Sequence, residues 1–193
     1  MYSALPAGIL QRPIALTGFM GVGKSSVGRL LAAHLGLELF DVDSMIEERT
    51  GMSVAELFAS RGEPQFRTLE RETVAEVVAN GRSVIALGGG AFVDPSTREL
   101  LMAKALVVHL HLPWSQMREV LDGLESDRPL LQGKTSEEVH ALYLQRLRAY
   151  RKAHLRVTVP RSSPEDGTGR VLMALERLRH AVEAPPAGGG PVS

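Results

Sequence analysis

Short apolar runs alternate along this chain with longer stretches in which apolar residues recur every three or four positions. The first pattern reads as buried strands, the second as helices packed on them. Ile14-Ala15-Leu16 is the first strand. Ser25 to Leu35 follows as a helix, with Val27, Leu30, Leu31 and Leu35 on one face and Gly36 placed to cap its end. Leu37 to Phe40, Val84 to Leu87, Leu106 to Leu110 and Val157 to Val159 read as further strands. A helix is expected to open near Gly62, with Phe66, Leu69, Thr73 and Val77 as its packed stripe. The last helix is expected from Gly169 to Val182, presenting Val171, Leu175, Leu178 and Val182 to the core. Strands alternating with helices imply βαβ units and a doubly wound α/β fold around a parallel sheet. Such folds bind ligands at the carboxyl ends of their strands.

The ends of the chain break this pattern. Ala184 to Ser193, APPAGGGPVS, carries almost no large apolar side chains and is expected to be a disordered tail. Residues 1–12 read as a flexible arm, which leaves 13–183 as one domain. A length of 193 residues suits that and allows a substantial core.

Charge and cysteine content narrow the class. The 22 basic residues are balanced by 22 acidic ones, which argues against general nucleic-acid binding, since backbone affinity needs a basic excess. The absence of cysteine removes disulfides and thiolate metal sites, and nothing points to an oxidising compartment. No apolar run approaches the roughly 18 residues of a membrane span. Met1 to Arg12 lacks the layout of a signal peptide. A cytoplasmic protein with neither nucleic-acid nor membrane partners is expected.

Gly18-Phe19-Met20-Gly21-Val22-Gly23-Lys24-Ser25 fits the phosphate-binding pattern G-x-x-x-x-G-K-[ST] in full, between a strand and a helix as its mechanism requires. Glycines let backbone N–H groups turn toward phosphates, and the helix adds the positive end of its dipole. Gly18, Gly21, Val22, Gly23, Lys24, Ser25 and Ser26 are the expected ATP contacts. Lys24 should reach the β- and γ-phosphates, and the Ser25 hydroxyl should ligate Mg²⁺. The cradle alone fits a kinase, a GTPase, an ATPase or a regulatory switch.

Three further clusters carry charge or open backbone. Asp41 and Asp43 end the second strand, where alternation puts both side chains on one side, at the edge shared with the cradle. One can organise the water shell of a magnesium ion and the other can hold a substrate hydroxyl; alternatively both cap a helix starting near Ser44. Arg67 and Glu70 stand three apart on one helix face. That spacing fits a solvated ion pair, or an arginine fork offered to a substrate carboxylate and steadied by Glu70. Gly88-Gly89-Gly90 follows a strand directly, as a flexible turn or as backbone brought close to a ligand.

Together the segments GFMGVGKSSVG, FDVDSMIEERTG, GEPQFRTLE, IALGGGAF, RPLL and R-L-R-A-Y, in this order and spacing, resemble the shikimate kinases across residues 14 to about 160. The resemblance implies a fold like that of the nucleoside monophosphate kinases: a five-stranded parallel sheet, a substrate-binding segment at about 41–75 and a mobile lid at about 114–135. It implies ATP-dependent phosphorylation of the 3-hydroxyl of shikimate, with Mg²⁺, on the chorismate route to aromatic amino acids; a monomer is expected. Lys24, Asp43 and Arg128 would be the catalytic residues, Asp43 binding the ring hydroxyls and Arg128 closing over the ATP phosphates from the lid. Asp41 would touch Mg²⁺ through water beside Ser25. Asp43, Arg67, Gly88, Gly89, Gly90 and Arg146 would bind the substrate, with the arginines on its carboxylate. Arg118 and Arg161 are candidates for the adenine side. Arg148 and Arg151 compete with Arg146, which its spacing to Tyr150 favours. A gluconate or nucleotide kinase, and a non-catalytic nucleotide-binding module, are the alternatives.

Overall fold

The computed structural model describes residues 8–121, 133–161 and 163–183. Five strands, β1 (Ile14–Thr17), β2 (Leu39–Asp41), β3 (Val84–Ala86), β4 (Leu106–His111) and β5 (Leu155–Thr158), form one sheet in the order β2-β3-β1-β4-β5. All neighbouring pairs are parallel. Every residue of β1, β3 and β4 is buried, because helices cover both faces of the central strands. The edge strand β5 alternates buried and exposed positions instead.

Among the described residues, seven α-helices connect and flank the strands: α1 (Lys24–Leu35), α2 (Val42–Thr50), α3 (Val54–Ala79), α4 (Pro95–Lys104), α5 (Trp114–Leu121), α6 (Ser136–Tyr150) and α7 (Pro164–Glu183). The chain steps from β1 outward to β2, then turns back through β3 to β4. With right-handed crossovers, that reversal puts α1 and α4 on opposite faces and opens a crevice at the carboxyl ends of β1 and β3. α1 packs against α7, and α3 against α4. No described helix is long and apolar enough to cross a membrane.

Several boundaries differ from expectation. The final helix begins at Pro164, well before Gly169, because the Ser163 hydroxyl accepts the Asp166 N–H at 3.0 Å and Pro164 suits a first turn. Its early buried residues are Gly167 and Thr168, whose small size hides the apolar pattern. A Cβ on Gly167 would lie 3.2 Å from Val27, so the helix needs glycine there to lie close to α1. α3 likewise starts at Val54, behind a capping box of Ser53 and Glu56, and Gly62 is an internal kink (φ 76°, ψ 164°). The supposed flexible arm is packed from Ile9 onward: Ile9 is buried, and Arg12 Nη1 donates to the Ala103 carbonyl at 2.6 Å. The arm's first seven residues and the tail at 184–193 lie outside the described residues.

One buried histidine gives the fold a pH dependence. His109 on β4 is 2% exposed, and burial, with His111 and nearby arginines adding to it, pushes its pKa down to about 3. The unfolded chain therefore binds a proton near pH 6.5 that the folded chain refuses until about pH 3, so stability falls as pH drops through that window. At one and a half pH units below the unfolded value the loss is about 2 kcal/mol from this group. Urea unfolding at pH 7 and pH 5 should show this difference, and His109→Gln should shrink it by about that amount. An unchanged difference in the variant would mean that other groups carry the dependence.

Candidate active site

The loop after β1 builds an anion cradle from backbone alone. Gly18 has φ 151°, and a Cβ there would stand 2.5 Å from the Leu110 carbonyl oxygen, so no side chain fits. Gly23 (φ 91°) caps α1 without any side-chain acceptor. The first-turn N–H groups of α1 are thus left for a ligand, with the helix dipole behind them. Lys24 Nζ donates to the Gly18 and Phe19 carbonyls at 3.1 and 3.2 Å, folded back over the loop. Gly21, Gly23, Lys24, Ser25, Ser26, Asp41 and Asp43 surround an open cavity of about 940 Å³ of free space. Gly18 is buried and does not line this cavity. Val22 faces a neighbouring groove instead, lined with Leu112, Val120, Val159, Pro160 and Arg161, which suits a flat ring system.

The two acids reach the cavity by a route that strand alternation does not describe. β2 ends at Asp41, whose carboxylate caps α2 by accepting the Ser44 N–H at 3.3 Å. Asp43 lies in the first turn of that helix. The helix starts at the carboxyl edge of the sheet, so both acids still line the cradle. Capping and a place at the site coexist here.

A second, smaller pocket opens beside the first, with about 440 Å³ of free space and Met20, Asp43 and Gly89 shared between them. Val54, Phe58 and Phe66 form its apolar wall, and Arg67, Glu70 and Arg146 its charged one. Arg67 Nη1 donates to Glu70 Oε2 at 2.7 Å, while Nη2 and Nε donate to Glu63 Oε1 at 2.9 and 3.1 Å. Glu70 is 1% exposed, so this is no solvated surface pair. Burial raises the Glu70 pKa; Arg67 and Arg146 oppose that rise, and Asp43 adds to it. Burial likewise disfavours charge on Arg67, yet Glu70 and Glu63 outweigh it and leave its pKa above the ordinary value.

Arg146 comes from α6, is 5% exposed and lies 5.6 Å from the centre of the Phe19 ring. Its Nη1 hydrogen-bonds to none of the described residues, a buried donor at the wall of this pocket. Arg148 and Arg151 are exposed and line neither pocket, so spacing to Tyr150 selected the buried arginine.

The glycine run packs against charged side chains. A Cβ at Gly88 would lie 2.7 Å from Asp43 Oδ1, and one at Gly89 would lie 3.3 Å from Arg146 Nη1. At Gly90 it would fall within the Arg67 guanidinium, 2.5 Å from Cζ. The run is a floor on which the charged heads rest, not a loose turn. Tyr150, which served only as a spacing mark in the sequence, donates its hydroxyl to the Gly89 carbonyl at 2.5 Å. Val54 and Phe58 were also missed; they precede Gly62, where no helix was expected.

Two calls change. Trp114–Leu121, the first part of the expected lid, is the helix α5 with Met117 and Leu121 buried, because apolar residues four apart give it a face to pack. Arg118 is exposed on that helix and does not line the groove beside Val22, whereas Arg161 does and pairs with Glu119. Arg128 lies outside the described residues.

Comparison with known proteins follows this geometry. The family model described as Shikimate kinase matches residues 20–176. A shikimate kinase of Geobacter metallireducens is 43% identical over 168 residues, 86% of this chain and 92% of that one. One from Geobacillus thermodenitrificans is 38% identical over 176 residues, covering 90% and 93% of the two chains. The structure of shikimate kinase from Acinetobacter baumannii in complex with shikimate aligns with a TM-score of 0.80 at 33% identity, over 89% of this chain and 96% of that one.

Proposed function

The chain belongs to the shikimate kinase family, and from that premise we propose how its residues carry the ATP-dependent phosphorylation of the 3-hydroxyl of shikimate to shikimate 3-phosphate and ADP. The observation that carries the assignment is Asp43, which lines both the phosphate cradle and the adjoining pocket with its two arginines. ATP lies along the cradle, its γ-phosphate toward Asp43 and its base toward the groove of Leu112, Val159 and Pro160. Shikimate occupies the smaller pocket, its carboxylate against Arg67 and Arg146 and its ring against Phe58 and Phe66.

Phosphoryl transfer asks for alignment and charge stabilisation more than for covalent help from the protein. Asp43 holds the acceptor hydroxyl in line with the γ-phosphate and receives its proton as the P–O bond forms. Lys24 draws charge from the oxygens of the transferring group. Arg128, assigned by its motif, adds a second cation there, from the part of the expected lid that follows α5. Ser25 and Asp41 are oxygen donors at the cradle, the ligand type a magnesium ion arriving with ATP prefers. When bound, Mg²⁺ neutralises charge between the β- and γ-phosphates.

A coupled ADP-release assay with shikimate, gluconate, AMP or no acceptor tests this. Turnover should require shikimate. Equal ADP release without any acceptor, or turnover with gluconate or AMP alone, would overturn the assignment.

A further inference from the structure

Tyr150 closes α6 and is 1% exposed. Its hydroxyl donates to the Gly89 carbonyl at 2.5 Å, joining α6 to the loop after β3 across 61 residues of sequence. Arg146 stands one helical turn earlier, its Nη1 only 3.3 Å from where a Cβ on Gly89 would lie. A phenol has one proton to give and lone pairs to receive with. Here the proton goes to the Gly89 carbonyl, which leaves the lone pairs for the arginine one turn before it. Burial pushes the Tyr150 pKa up to about 12, so that proton stays in place across the enzyme's working range. From below, His109 on β4 packs against the phenol ring, with 5.1 Å between centroids. Gly89 in turn lines both the acceptor pocket and the phosphate cavity.

We propose that Tyr150 is a positioning residue for the acceptor: one buried hydroxyl fixes the Arg146 fork and the Gly89 backbone relative to each other, so that both meet the same carboxylate. It touches no substrate itself, being enclosed behind the two groups it joins. The inference rests on the placement of shikimate in the pocket of Arg67 and Arg146. α6 also supplies its own control. Tyr143, two turns earlier, is buried too and donates its hydroxyl to the Leu112 carbonyl at 3.0 Å, but it does not line the acceptor pocket.

The test compares Tyr150→Phe with Tyr143→Phe by steady-state kinetics and thermal melting. Tyr150→Phe should raise KM for shikimate about tenfold, with kcat at saturating shikimate and KM for ATP changed less than about twofold. Tyr143→Phe, having lost a comparable buried bond, should leave KM for shikimate unchanged. In an Arg146→Lys background, Tyr150→Phe should add little, because the fork it positions is already gone. An unchanged KM for shikimate in Tyr150→Phe would overturn the proposal, as would an equal rise in Tyr143→Phe. Should Tyr150→Phe fold too weakly for kinetics, shikimate calorimetry in the cold reads the same contrast, and equal affinities would again overturn it. The underlying assignment fails separately: it falls if the unmodified enzyme does not turn over shikimate, whereas normal turnover with an indifferent Tyr150→Phe removes only this inference.

Discussion

Lys24→Ala is expected to lower kcat by on the order of 10²- to 10³-fold, the usual cost of removing one preorganised charge from a transition state. Lys24 is the first residue of α1, and its ammonium group spans the loop to the Gly18 and Phe19 carbonyls at 3.1 and 3.2 Å. From there it can swing to a phosphate oxygen without displacing any core side chain. It is not among the buried residues, so the alanine variant should keep its circular dichroism and melt near the wild-type temperature. The acceptor pocket does not include Lys24, so shikimate affinity by calorimetry should hold. Lys24→Arg keeps the charge with a different reach and should recover part of the rate. Turnover near wild type in a folded Lys24→Ala protein would remove the lysine from the mechanism.

The phosphate cradle was legible because its chemistry is local: Gly18 to Ser25 must be contiguous for the backbone to close on a phosphate. The central strands were legible because burial on both faces leaves an unbroken apolar run. Edge strands were placed less well. Leu39–Asp41 and Leu155–Thr158 owe their limits to pairing with β3 and β4, and no local pattern encodes that register. The Asp41/Asp43 pair shows the same limit. Both acids line the cavity, but not by the strand geometry expected, since the chain turns helical at Val42.

Depth was the other hidden quantity. Spacing made Arg67 and Glu70 partners, and an exposed pair of that kind contributes a few tenths of a kcal/mol. Burial of Glu70 comes from elsewhere in the chain: the Gly88–Gly90 loop lies directly over Glu70 and Arg67. Only a folded sheet brings α3 and that loop together. Tyr150 was invisible as a functional residue for the same reason, its acceptor being 61 residues away.

Lysine at Arg67 or Arg146 is expected to weaken shikimate binding by roughly tenfold to a hundredfold while ATP affinity stays nearly constant. A bidentate arginine–carboxylate contact contributes about 1.5 to 3 kcal/mol, and lysine keeps the charge but loses the fork. The lysine variants are the cleaner probes, because alanine would leave Glu70 buried without its cation. Removing one partner of a buried ion pair costs about 3 to 5 kcal/mol in stability. That cost would be hardest to avoid at Arg67, whose Nη1 holds Glu70 Oε2 at 2.7 Å. Arg146 tests the acceptor pocket more directly, since its Nη1 is committed to none of the described residues and lies beside Gly89. Neither arginine lines the phosphate cavity, so the two ligands should respond independently. Separate calorimetric titrations of shikimate and ATP against both variants read this out. If ATP affinity collapses while shikimate affinity holds, the acceptor carboxylate has been placed in the wrong pocket.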